Sequence, residues 1–156
     1  MGLLDFVKKF TQQESTSNRE LKTEMFYVRG VSYYTENIGK LASCNPDWKS
    51  TAAQIKAAGK AGKHIFRYNY VNKPVKLFEE PGNKHDKNAV AVFVAGELVG
   101  YIGKEDNVHV KSILKRHEIK YISGYINGGQ YKIINDDNSI DRFEEEISIK
   151  VKIAYV

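Results

Sequence analysis

The chain holds one cysteine, Cys44, and three prolines, and each scarcity excludes something. A single thiol cannot build a disulfide framework, so a reducing, cytoplasmic location is expected. That lone cysteine and four scattered histidines, at 64, 85, 109 and 117, show no zinc-ligand spacing. No metal and no cofactor are expected. No apolar run approaches the ~20 residues that span a bilayer, so no membrane partner is expected either. Catalytic signatures are missing as well: there is no Gly-x-Ser-x-Gly, no phosphate loop and no dinucleotide fingerprint. His85 and Asp86 are neighbours in sequence, and adjacent residues seldom make a working acid–base pair. Glu118-Ile-Lys120 superficially matches the acid-x-Lys element of metal-dependent nucleases, but no partner acid stands out upstream. Asp136, Asp137, Asn138 and Asp141 lack the glycine and terminal glutamate of an EF-hand loop. The expectation is a binding protein and not an enzyme, with a metal-dependent nuclease as the least favoured reading.

What is present is an ordinary globular composition, 42% hydrophobic and 28% charged over 156 residues, enough for one domain with a real core. The net charge of +5 is unevenly placed. From Lys40 to Lys76 eight Lys or Arg face one acid, Asp47, whereas Asp136 to Glu146 holds six acids and only Arg142. Basic clusters attract phosphate backbones by counterion release; the plainer reading is a solvated lysine-rich face.

Residues 1–21 divide from the rest. Met1 to Phe10 forms an amphipathic helix candidate with Leu3, Leu4, Phe6, Val7 and Phe10 apolar, too short and with Asp5 too early for a signal peptide. A polar, Ser/Thr-rich linker follows from Gln12 to Arg19. The head is a candidate for docking on the domain, on a protein partner or on a second copy.

The domain is expected over residues 22–156. Phe26 to Tyr34 has strand character, with Gly30 as a bulge or close approach. Thr35–Leu41 reads as a short helix, and Asn45–Lys63 holds another with Ser50 as its cap. His64 to Tyr70 alternates, placing His64, Phe66, Tyr68 and Tyr70 on one face. Strands follow at 75–79, 89–94 and 98–102, the last two joined by a turn at Gly96. Glu105 to Arg116 is a helix with Val110, Ile113 and Leu114 on its apolar face. A hairpin is expected from strands 121–126 and 131–134 about Asn127-Gly-Gly129, then an acidic loop over 135–141. In the final strand Ile147, Ile149, Val151, Ile153 and Tyr155 alternate with other residues. Six or seven strands with two or three helices imply an α+β fold built on a small, partly open β-barrel.

Several residues carry chemistry. Tyr33 and Tyr34 end the first strand, so one points inward and the other outward. An outward tyrosine can stack on a base, although core packing is the commoner use of a tyrosine. His85-Asp86-Lys87-Asn88 offers a ring, a carboxylate and a cation in one turn. Asp86 and Asn88 would serve equally to shape an Asx turn, or the group would hold a nucleotide, with the carboxylate accepting from a sugar hydroxyl and the cation meeting phosphate. Lys104 adds a further phosphate contact, or is an ordinary lysine at a helix start.

Taken together, Gly30-Val-Ser-Tyr33, Glu80-Pro-Gly-Asn-Lys-His-Asp86-Lys-Asn88-Ala-Val90 and Val99-Gly-Tyr-Ile102 followed by Lys104 resemble the HIRAN domain, and especially its stand-alone bacterial and phage forms. The resemblance implies an OB-like barrel with helices. In eukaryotic fork-remodelling translocases such a domain captures single-stranded DNA at a free 3′-hydroxyl end. By that resemblance Tyr33 would stack on a base, Asp86 would read the 3′-hydroxyl, His85 would stand in for an aromatic stacking residue, and Tyr101 and Lys104 would line the strand's path. Three positions depart from the pattern: Ser32 replaces an arginine, Lys84 a frequent proline and His85 a tyrosine, which implies weaker stacking and phosphate grip. The expected function is therefore non-enzymatic binding of single-stranded DNA ends, with a protein-interaction module acting through residues 1–10 as the alternative.

Overall fold

A computed structural model describes residues 19–70 and 74–156; the amphipathic head and most of the linker lie outside them. The elements are β1 (Lys22–Arg29), a 3-10 turn (Val31–Tyr34), α1 (Thr35–Gly39), β2 (Ala42–Cys44), a second 3-10 turn (Pro46–Lys49), α2 (Ala52–Ala57), β3 (Ile65–Phe66), β4 (Tyr68–Tyr70), β5 (Val75–Glu79), β6 (Val90–Val94), β7 (Glu97–Ile102), α3 (Asn107–Arg116), β8 (Ile119–Ile134) and β9 (Ile140–Tyr155). Seven strands form one antiparallel sheet in the order β3-β8-β9-β1-β7-β6-β5, and β2 pairs with β4 in a small second sheet. The large sheet curls without closing by a continuous ladder: β5 meets β8 at the bridge Pro74↔Ser123. Among the described residues no helix is long and apolar enough to cross a membrane.

Val, Ile and Phe on the inner face make one core. Val90, Val92, Val99, Val151 and Ile153 are wholly buried, and Val110 and Ile113 of α3 close over them. The period-2 pattern of the last strand holds over Ile149, Val151, Ile153 and Tyr155, all buried, while Ile147 is half-buried and Ala154 is buried as well. The β6–β7 turn falls at Ala95 and Gly96, both with positive φ (48° and 84°), the conformation that suits the twist of a tight hairpin. A smaller cluster of Ile55, Ile65 and Ile134 seats α2 on the far half of β8.

Four local expectations fail for identifiable reasons. Gly30 ends the first strand instead of bulging it: its left-handed backbone (φ 75°, ψ 14°) cannot continue the pleat and opens the 3-10 turn, so Tyr33 and Tyr34 lie on that turn and not on a strand. The helix expected over 45–63 is two pieces, and the cap of α2 is Thr51, not Ser50. Thr51 and Gln54 exchange bonds in a capping box, which satisfies two free N–H groups at once. The 64–70 alternation is divided between two sheets, β3 pairing with β8 and β4 with β2. Finally, Asn127-Gly-Gly129 is no hairpin turn. It is a bulge inside the 16-residue β8, whose partner β9 begins at Ile140, so that Ile140 and Asp141 leave the loop expected over 135–141 and join the ladder. Gly128 (φ 104°) has room only for a hydrogen there, since a Cβ would sit 2.3 Å from the Glu146 carbonyl oxygen.

β1 joins the two halves of the sheet. Lys22–Tyr27 pair with β9, and Val28 and Arg29 pair with Ile102 and Tyr101 of β7. Glu24 ties this strand to its neighbours, accepting from the Tyr155 hydroxyl and lying 2.8 Å from His109 Nε2 on α3. The Tyr155 bond first, then His109, hold the Glu24 carboxyl below the usual range. A depressed carboxyl stabilises the fold above its unfolded-state pKa, and that contribution is lost as pH falls through the folded value. Glu24→Gln should therefore be less stable than the native chain at neutral pH, by under ~1 kcal/mol because the pair is partly exposed. The gap should close in acid. Urea midpoints across the acid limb check this; a gap that stays constant would refute it.

Gly100 (φ 147°) is the tightest position of the β1–β7 seam, where a Cβ would stand 2.5 Å from the Arg29 carbonyl oxygen. Gly100→Ala should cost about 3 kcal/mol, read as a fall in denaturant midpoint. Gly82→Ala, with nothing within 4 Å of the added carbon, should stay near native; equal losses would refute the steric account.

Candidate nucleic-acid interface

The β1–β7 seam opens onto a cleft of about 1100 Å³, lined on one side by Arg29, Gly30, Tyr33 and Tyr34 and on the other by the β5–β6 loop and the turn before α3. Three separate stretches of sequence meet there because β1 and β7 are adjacent in the sheet while the β5–β6 loop folds back over them.

The loop is built by its own side chains. Asn83 Oδ1 accepts the backbone N–H groups of His85 (2.9 Å) and Asp86 (3.1 Å), and Asn83 Nδ2 donates to Glu80 Oε2 at 3.1 Å. Asp86 Oδ1 accepts the Asn88 N–H at 2.8 Å, an Asx turn. Its other oxygen, Oδ2, accepts from Asn107 Nδ2 at 2.7 Å, and Asn107, at the start of α3, is only 2% exposed. Asp86 therefore shapes the turn and also presents a carboxylate to the cleft. A carboxylate has about four acceptor positions, so capacity remains for a ligand hydroxyl.

Tyr101, on β7, forms the floor. Its hydroxyl donates to Glu80 Oε2 at 3.1 Å, and its ring lies 6.3 Å from that of Tyr34. Burial first, then hydrogen bonds with Tyr34 and Glu80, push its phenol far above the usual range, so it stays protonated at any physiological pH. Tyr33 is the opposite case, 86% exposed and free to offer a ring face. Arg29 at the rim donates to Glu105 Oε1 at 2.8 Å. The Glu105 backbone N–H and then Arg29 hold that carboxyl below the usual range, so the pair is charged at neutral pH. Lys104 is exposed, lines the cleft and makes no ion pair among the described residues.

Of the residues singled out in the sequence, Tyr33, His85, Asp86, Tyr101 and Lys104 share this cleft. Lys87 and Asn88 do not line it; Asn88 Oδ1 instead receives Lys111 Nζ of α3 at 3.3 Å. Sequence reasoning passed over Arg29, Glu105 and Asn107. The first stands beside the Gly30 motif and could have been noticed there. Asn107 has no local signal, because its partner is 21 residues away. Among the described residues, no cation of the lysine-rich stretch lines the cleft: Lys60 pairs with Asp47, Lys40 with Glu97, and Lys56 bonds the Asp136 carbonyl. Among the described residues no three His, Cys, Asp or Glu gather as a metal site.

Asn107→Ala should destabilise the fold by about 1–2 kcal/mol through the lost bond to Asp86. Asn107→Asp would set two carboxylates together, so one must hold a proton. That raised folded pKa means stability present in acid and lost as pH rises. Urea titrations at mildly acidic and neutral pH check this; an Asp variant as stable as the Ala variant at neutral pH would contradict the geometry.

No curated protein matches the chain. Among solved structures, the crystal structure of the HIRAN domain of human HLTF is 17% identical, with 85% of this chain and 74% of that one covered and a TM-score of 0.42. The family model of the HIRAN domain matches residues 25–152, a span that contains every residue lining the cleft. The chain belongs to the HIRAN domain family, known as DNA-binding modules.

Proposed function

We propose that the cleft receives the free 3′-hydroxyl end of a single nucleic-acid strand, DNA in the first instance, and binds it without chemistry. One observation carries the reading: the Asp86 carboxylate, held by Asn88 and Asn107, lies in the same cleft as the exposed ring of Tyr33. A fixed carboxylate accepts from a terminal hydroxyl and repels a terminal phosphate, so it discriminates between ends. Tyr33 supplies a sequence-tolerant base stack worth ~1–3 kcal/mol, His85 adds a second ring at the edge, and Lys104 meets a backbone phosphate. The Asp86 oxygens bond Asn88 and Asn107 and not the His85 imidazole, which supports binding over acid–base catalysis. Arg29 is already paired with Glu105, so the phosphate grip at the end itself is modest.

Fluorescence anisotropy with labelled single-stranded DNA ending in a 3′-hydroxyl or a 3′-phosphate tests the proposal at low and physiological salt. The hydroxyl end should bind about tenfold tighter. Asp86→Asn, which keeps the turn's acceptor, should erase that preference. Equal binding to both ends would leave a generic strand binder. No binding even at low salt would sink the nucleic-acid proposal and turn attention to a protein partner for residues 1–10.

A further inference from the structure

Beyond the cleft, the solvent-facing side of β1, β9 and β8 carries aromatic and basic side chains in alternation. On β1, Met25 (51% exposed), Tyr27 (48%) and Arg29 point away from the core, while Phe26 and Val28 between them are buried. The ladder sets Tyr27 opposite Lys150 and Met25 opposite Lys152 on β9. Arg29 Cζ lies 5.4 Å and Lys150 Nζ 4.9 Å from the Tyr27 ring centroid, and Lys152 Nζ lies 5.9 Å from that of Tyr121 on β8, itself 44% exposed. Arg29 also lines the cleft, so the strip begins where the cleft ends.

We infer that this strip is a second nucleic-acid subsite, which carries the nucleotides that precede the bound end. The inference rests on the cleft holding that end. Two exits lead from Arg29. One is a groove that starts beside Tyr27 and Arg29 and runs past Arg67 and Tyr68, walled by Glu144, Glu145 and Glu146, where three carboxylates repel a phosphate chain. The other is the strip of Met25, Tyr27, Arg29, Tyr121, Lys150 and Lys152, none of them a carboxylate, where Arg29 is shared with Glu105 while Lys150 and Lys152 make no ion pair among the described residues. Electrostatics selects the strip. From Arg29 to Met25 the strand runs about 13 Å, room for further nucleotides past the terminal one. Tyr27 and Tyr121 present ring faces to bases, and Lys150 and Lys152 swing from the rings to the phosphates. A cation–π contact at an exposed site is weaker than the stack and phosphate contact that replace it.

The test uses oligodeoxythymidylates of about 4 and about 12 nucleotides, each with a 3′-hydroxyl, a short and a long length within the range of about 4–16 nucleotides that single OB folds cover. The longer one should bind the native chain more tightly, and Tyr27→Ala should weaken it about tenfold while leaving the shorter one unchanged. The Lys150→Gln/Lys152→Gln pair should lower the slope of log K against log[salt] by about 1.4 for the longer strand. Arg67→Gln, on the acidic exit, should bind as the native chain does. Equal binding of both lengths by the native chain, strip variants that bind the longer strand normally, or a loss confined to Arg67→Gln would each overturn the strip and leave end capture standing. A length effect that vanishes in the strip variants, from a chain indifferent to 3′-hydroxyl or 3′-phosphate, would keep the strip as a strand-binding surface and overturn end capture.

Discussion

The short ladder between β1 and β7 is the contact on which the site depends. Val28 and Arg29 face Ile102 and Tyr101 across it, and Gly100 lets the Arg29 carbonyl come within a distance that no side chain would allow. This seam joins the β5–β7 half of the sheet to the β8–β9 half. It also sets the 3-10 turn bearing Tyr33 and Tyr34 opposite the loop bearing His85 and Asp86. The cleft is thus a product of backbone proximity before any of its side chains is considered.

Within that frame the β5–β6 loop does two things with the same atoms. Asn83 and Asp86 satisfy backbone N–H groups that a ten-residue excursion would otherwise leave to water, and Asp86 still presents its carboxylate to the cleft. The reading of Asp86 as a turn former and the reading of it as a ligand acceptor are compatible. Asn107 makes them so: a buried amide on α3 fixes the second oxygen, which the turn alone would leave free to rotate.

Charge is placed less by abundance than by neutralisation. The lysine-rich stretch is the densest positive run in the chain, yet Lys40 and Lys60 are paired with acids and Lys56 with a carbonyl, and none lines the cleft. The acidic run is not neutralised in this way: Asp141–Glu146 enter β9, and Glu144, Glu145 and Glu146, without an ion pair among the described residues, wall the groove beside the cleft. The cations next to exposed tyrosines are Arg29, Lys150, Lys152 and Arg67, and of these only Arg67 belongs to the basic cluster in the sequence.

Local order was legible where one physical signal had one structural answer. Strict alternation from Ile147 to Tyr155 has no solution other than a strand buried on one side, the pair of positive-φ residues at 95 and 96 makes a tight hairpin, and Val110 and Ile113 mark a helix face. The capping box of Thr51 and Gln54 was also there to be read, one residue beyond the cap expected. The glycine pair at 128 and 129 was not, because glycine serves a turn and a bulge equally, and the length of β9 decides between them. The sequence by itself determined β5, β6, β7 and the second half of β9, the apolar faces and the group of residues around Asp86, since these follow from side-chain period and turn chemistry. Only the tertiary structure decided that Arg29, Asn107 and Glu105 belong with them, because hydrogen bonds and ion pairs across 21 to 76 residues exist only once the sheet has brought the strands together.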